Sequence, residues 1–126
     1  MMTCVLVDVV EKDLLWAKQI CESNDNVEKV ITFGLATEAF LFLSQNPVDV
    51  LFLNLETPHC YEAILSGKTF GPSTFVVLNS KNKCLCDKFL NKKNTKVKFL
   101  HKKFTEDRVH DLLFKCHNML SLVEFV

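Results

Sequence analysis

Short unbroken apolar runs alternate along this chain with segments whose apolar residues recur every three or four positions. Val50-Leu51-Phe52-Leu53 is the plainest run, preceded by Asp49 and followed by Asn54-Leu55-Glu56-Thr57-Pro58. An apolar run bounded by turn formers predicts a strand covered on both faces. Thr3 to Val9 is a second such run, with one acid, Asp8, near its end. Between them, Lys12 to Ser23 carries Leu14, Leu15, Ala17, Ile20 and Cys21 at helical spacing, which predicts an amphipathic helix. Ser23-Asn24-Asp25-Asn26 ends it. Val27 to Phe33 reads as a strand broken at Gly34, and Thr37 to Ser44 as a helix stopped by Asn46-Pro47. The strand from Val48 to Leu53 follows.

The second half repeats the alternation. A short helix is expected over Tyr61 to Ser66, a strand over Thr74 to Leu78, a helix over Lys83 to Leu90 and an edge strand of mixed polarity over Lys96 to His101. Thr105 is placed to cap a final helix whose stripe is Val109, Leu112, Leu113, Cys116, Met119 and Leu120. Strands alternating with helices five times predict one domain over residues 1–126, an α/β fold with a parallel sheet and helices on both faces. A flavodoxin-like, five-stranded order of 2-1-3-4-5 fits the length. Ligands of such sheets sit at the carboxyl ends of the strands, which makes Asn54 and Asp8 the first candidates. With three glycines and no GxGxxG or GxxxxGK after the first strand, the chain lacks the phosphate-cradling loops of dinucleotide and nucleoside triphosphate binders.

Composition adds a little. Hydrophobic residues make up 48% and charged residues 24%, as in a folded soluble domain. No apolar segment reaches the ~20 residues that span a bilayer. The start, MMTCVLVD, has no basic region leading into an apolar one, so no signal peptide is read and a cytoplasmic location is expected. The six cysteines include no CxxC pair, and most sit among apolar residues, where reduced, structural thiols are expected. Cys84-x-Cys86 is too sparse for a metal site without a second pair or a nearby histidine.

Four features at the ends of the expected strands resemble the receiver domain of two-component response regulators, and the resemblance runs over essentially the whole chain. Phe52-Leu53-Asn54-Leu55-Glu56-Thr57-Pro58 is similar to the family's FLDxxMP, in which the Asp accepts a phosphoryl group. Asp8 stands where the family has two or three acids. Leu78-Asn79-Ser80 matches the end of the fourth strand, where a Thr or Ser switch hydroxyl is followed by a small residue. Phe99-Leu100-His101-Lys102-Lys103 matches an aromatic, two residues, then Lys-Pro. The resemblance implies a CheY-like fold, with Asn54 at a degenerate phosphoacceptor position, Asp8 as the residual acidic, metal-holding position and Lys102 as the phosphate-contacting lysine. Phe99 takes the switch aromatic position, and either Asn79 or Ser80 the switch hydroxyl position.

The departures have chemical consequences. A carboxamide at Asn54 has no anionic oxygen with which to attack phosphorus. Mg²⁺ prefers hard oxygens including carboxylates, and Val9 replaces the second acid, so Mg²⁺ binding is expected to be weak or absent and no other cofactor is implied. Lys102 is expected to pair with Asp8 or to hydrogen-bond the Asn54 carbonyl. Lys103 replaces the family's proline, so a trans peptide is expected there. His59 reads as a solvated loop residue.

Charge is zero overall and unevenly spread. Residues 1–80 hold four lysines and ten acids, whereas residues 81–126 hold eleven basic residues and five acids. Nine lysines fall between Lys81 and Lys103 against one acid, Asp87. Lys92, Lys93, Lys96 and Lys98 form the core of this run, read either as a solvated face that protects an edge strand or as a docking surface for a partner. The run has no arginine and two aromatics, which argues against nucleic acid. The expected function is therefore that of a stand-alone degenerate receiver, not an enzyme, acting through protein–protein interaction without aspartyl phosphorylation. Its partner classes are a histidine kinase, another regulator or a second copy of the chain. The competing readings are a small flavodoxin-like ligand binder or enzyme using the strand-end cleft, and a nucleic-acid binder using the lysine-rich face.

Overall fold

The structure, a computed structural model, describes residues 1–60, 74–81, 97–101 and 104–124, with the backbone alone over 97–99, 101 and 120–124. Five strands, β1 (Met2–Val7), β2 (Val27–Phe33), β3 (Val50–Asn54), β4 (Phe75–Ser80) and β5 (Val97–His101), form one parallel sheet in the order β2-β1-β3-β4-β5. Helices α1 (Glu11–Glu22), α2 (Ala36–Gln45) and α3 (Glu106–Glu124) are the described connections and terminus. The chain moves outward from β1 to β2, then crosses back to place β3 on the other side of β1. That reversal puts the carboxyl ends of β1 and β3 side by side, the place where open α/β sheets hold ligands.

Alternation along each strand sends side chains to two separate cores. Cys4, Leu6, Val50, Phe52, Phe75 and Val77 pack with Ile20 and Cys21 of α1 and Val109, Leu113 and Cys116 of α3. Val5, Val7, Leu51, Leu53, Val76 and Leu78 pack on the opposite face, against Ala36 and Ala39 of α2. Every residue of β3 and of β4 is buried, as their unbroken apolar runs require of central strands. Thr105 does cap α3: its Oγ1 accepts the Arg108 N–H at 3.3 Å.

Several element bounds differ from the sequence-based expectation for identifiable reasons. β1 ends at Val7, not Val9, because Asp8 Oδ1 accepts the Val10 N–H at 2.9 Å and turns the chain away, leaving Val9 and Val10 exposed. β3 starts at Val50, since Asp49 spends its carboxylate on the Thr3 N–H, at 2.8 Å to Oδ2. β4 runs on through Asn79 and Ser80, whose backbones continue the ladder with Leu100 and His101. The helices expected over residues 61–66 and 83–90 lie outside the described residues.

Candidate functional site

The register of the sheet assembles the strand ends. Val7 lies opposite Leu53, so Asp8 and Asn54 follow at the same level, and Asn54 is itself paired with Asn79. Asn54 is fully buried, and Asp8 and Asn79 are nearly so. By alternation all three project toward the α1 and α3 side of the sheet, continuing the rows of Leu6, Phe52 and Val77.

Both ends of the Asn54 carboxamide are occupied. Nδ2 donates to Asp8 Oδ1 at 2.9 Å, and Oδ1 accepts the Glu56 N–H at 3.0 Å. A carboxylate can only accept and a backbone N–H can only donate, so these partners fix the orientation of the amide. The turn after β3 is closed by Thr57 N–H to Asn54 O at 3.0 Å. Thr57, also buried, then offers its Oγ1 to the Val9 N–H at 3.2 Å, which ties the loop after β1 to the loop after β3.

A second tie joins β3 to β4. Glu56 Oε1 accepts both the Ser80 hydroxyl, at 3.0 Å, and the Lys81 N–H, at 2.8 Å. Ser80 is fully buried and continues the row of Val76 and Leu78, on the face opposite to Asn79. The two residues left as alternatives in the sequence therefore separate cleanly: Asn79 shares the face of Asp8 and Asn54, and Ser80 does not.

Other candidates are dispersed or fall outside the described residues. Phe99 lies on β5 opposite Leu78, and Lys98 opposite Val77, both as backbone positions. Lys92, Lys93, Lys96, Lys102, Lys103, Cys84 and Cys86 lie outside the described residues. His59 is exposed, with a left-handed backbone at φ 71°. Cys4, Cys21, Cys60 and Cys116 are buried thiols outside any disulfide. Sequence reasoning missed Glu56 and Thr57. A Thr inside an otherwise apolar or turn-forming motif was a signal for the second; nothing in spacing marked Glu56, because its partners come from β4.

Beside the polar strand ends, a cavity of ≈ 350 Å³ opens between β1, β3, β4, α1 and Phe104. Asp8 and Asn79 stand at its polar end. No helix among the described residues is long and apolar enough to cross a membrane, and no group of three or more His, Cys, Asp or Glu among them could hold a metal ion.

No protein-family model matches the chain, and no curated protein matches it in sequence. Solved structures do. The response regulatory domain of protein mrkE from Klebsiella pneumoniae superposes with a TM-score of 0.82 at 18% identity, covering 96% of this chain and 99% of that one. A response regulator receiver domain protein from Clostridium thermocellum gives 0.80 at 19% identity, over 98% and 99% of the two chains. A response regulator from Thermotoga maritima gives 0.74 at 23% identity, over 94% and 98%. These likenesses define the class by architecture: the chain has the CheY-like, flavodoxin-like fold of response-regulator receiver domains, along essentially its whole length.

Proposed function

We propose that this chain is a degenerate receiver, a signalling domain of the two-component type that acts through protein–protein interaction without aspartyl phosphorylation. The observation that carries this reading is the Asn54 carboxamide, buried at the phosphoacceptor position with its Nδ2 on Asp8 and its Oδ1 on the Glu56 N–H. Forming an acyl phosphate needs an anionic carboxylate oxygen that attacks phosphorus while a leaving group departs. A neutral amide oxygen already accepting a backbone N–H offers no such nucleophile.

The donor set also does not fit Mg²⁺. Of the two neighbouring acids that the resemblance calls for, Asp8 remains, and its Oδ1 accepts two N–H groups. Val9 is half-exposed hydrocarbon, and the Asn54 amide turns N–H, not oxygen, toward Asp8. Among the described residues, a hard cation that wants several oxygens finds one strand-end carboxylate, Asp8. In this reading the chain is not an enzyme and works in the cytoplasm. Asn79 holds the switch hydroxyl position, supported by its register with Asn54, and Lys102 and Phe99 keep the family's lysine and aromatic positions. The lysine-rich run through Lys92, Lys93, Lys96 and Lys98 supplies a docking surface for an acidic protein, of the histidine kinase or regulator class, or for a second copy of this chain.

The test is labelling by radioactive acetyl phosphate with Mg²⁺, beside amide spectra with and without beryllofluoride. Wild type is expected to stay unlabelled and spectrally unchanged. Label retained on wild type but lost in Asn54→Ala would overturn the reading. Replacing Lys92 and Lys93 by Glu and measuring partner capture tests the docking face separately.

A further inference from the structure

We propose that the cavity beside the strand ends binds a small, flat heteroaromatic molecule that carries a neighbouring N–H donor and carbonyl acceptor. Its walls are Leu6, Leu14, Ala17, Phe52 and the rings of Trp16 and Phe104, so a ligand body there exchanges water for hydrocarbon and aromatic surface. The volume of ≈ 350 Å³ lies at the small end of the range that holds compact organic ligands. Trp16 and Phe104 face each other at 5.5 Å between centroids with planes 45° apart, and Trp16 remains 42% exposed, a large apolar side chain left half-open at the rim. A flat ring entering beside them covers that surface.

The polar end selects the edge of the ligand. Asn79 lines the cavity at 6% exposure, and among the described residues nothing hydrogen-bonds its carboxamide. An amide presents one acceptor and one donor side by side, which a cyclic lactam edge or a nucleobase-like edge meets with two complementary bonds. Asn54, one strand over, has both ends of its amide engaged and is fully buried, so it adds no competing recognition. Among the described residues, the charged groups that line the cavity are Asp8, Asp13 and Lys81. Asp8 Oδ1 at this end already accepts two N–H groups. The chemistry left for recognition is flat and amide-edged. Binding of this kind needs no phosphoryl group and no metal, and it stands or falls independently of the phosphoacceptor question.

Quinolin-2-one is the probe. The chain has one tryptophan, so its indole N–H gives a single resonance that reports the cavity wall, and the Asn79 side-chain amide reports the polar end. Titration into the full chain is expected to move both resonances saturably, with sub-millimolar affinity. N-methylquinolin-2-one, which keeps the ring and carbonyl but lacks the donor, is expected to bind about tenfold more weakly, and Asn79→Leu to weaken quinolin-2-one by a similar factor. Trp16→Leu, at the half-open rim, checks the wall where the Asn79 variant fails to fold, and is expected to weaken both compounds. The proposal is overturned by absent or unsaturable shifts at millimolar probe, by equal affinity of the two compounds, or by shifts that map away from Trp16 and Asn79.

Discussion

Asn54 Nδ2 donates to Asp8 Oδ1 at 2.9 Å, joining the ends of β1 and β3 through two side chains that are 0% and 9% exposed. The same carboxylate oxygen accepts the Val10 N–H, so one acid both ends β1 and receives the amide. Two adjacent central strands thus finish on a single carboxylate solvated by N–H donors. Such an arrangement places the N–H donors of Asn54 and Val10 on one buried carboxylate oxygen.

Asn54→Asp would place a second carboxylate against the first. Like charges at this separation raise the folded-state pKa of one member of the pair above its unfolded value. The folded state then binds more protons than the unfolded state, so stability is lost as pH rises and recovered as pH falls. A loss of about 2 kcal/mol is expected at neutral pH, shrinking toward pH 5. Urea denaturation of wild type and variant across this range measures it. A variant whose deficit stays flat with pH would mean that the carboxylates do not sense each other.

The acid itself should be more sensitive to deletion than to neutralisation. Asp8→Ala leaves Asn54 Nδ2 and the Val10 N–H without their acceptor in a nearly dry setting, with an expected cost of about 2–3 kcal/mol. Asp8→Asn keeps an acceptor oxygen of the same reach, and its cost should be less than half as large. Chemical denaturation of the three proteins compares them, and equal losses would assign the effect to charge instead of hydrogen bonding.

Much of this arrangement could be read before any coordinates. Val50 to Leu53 is apolar at every position, which marks a strand with no solvent face, and Asn54 and Asp8 stand where such runs turn polar. Alternation then carries each strand-end side chain to a definite face, but one misplaced residue inverts the assignment. That is why Asn79 and Ser80 could not be separated from the sequence: their faces follow from the ladder that pairs Asn54 with Asn79. The cavity was illegible for a different reason. Leu6, Trp16, Phe52 and Phe104 read as ordinary core and helix positions, and the space between them depends on how α1 and the residues before α3 stand against the sheet.

The Glu56 tie should behave as a unit. Glu56→Ala removes the acceptor that the Ser80 hydroxyl and the Lys81 N–H share, for an expected loss of about 1–2 kcal/mol and faster hydrogen exchange at Lys81. Ser80→Ala removes one of the two bonds while Glu56 keeps the other, so its loss should be smaller. The double variant should cost less than the sum of the singles, since both remove the same contact. Strict additivity in denaturation would mean that the Glu56–Ser80 bond carries no coupling.

The buried thiols give the fold an alkaline limit. Burial, with a smaller push from Glu22, raises the Cys21 thiol from 9.0 to about 12. Burial moves Cys4 still higher, helped by Cys21, Asp49 and Cys116. In the unfolded chain these thiols ionise near pH 9, whereas in the folded chain they stay protonated. Their contribution to stability is therefore complete below pH 9 and is lost as pH rises above it. The loss should approach about 1.4 kcal/mol per pH unit for each thiol. A urea midpoint that holds between pH 7 and about 8.5 and then falls is the expected profile. Cys21→Ala should start from a somewhat lower midpoint at pH 7, because a packed sulfur is removed, yet lose stability less steeply above pH 9. At pH 8 both thiols should resist an aromatic disulfide reagent until urea unfolds the chain. Rapid native-state reaction at Cys4 or Cys21 would show that the α1 face of the sheet opens far more readily than its packing implies.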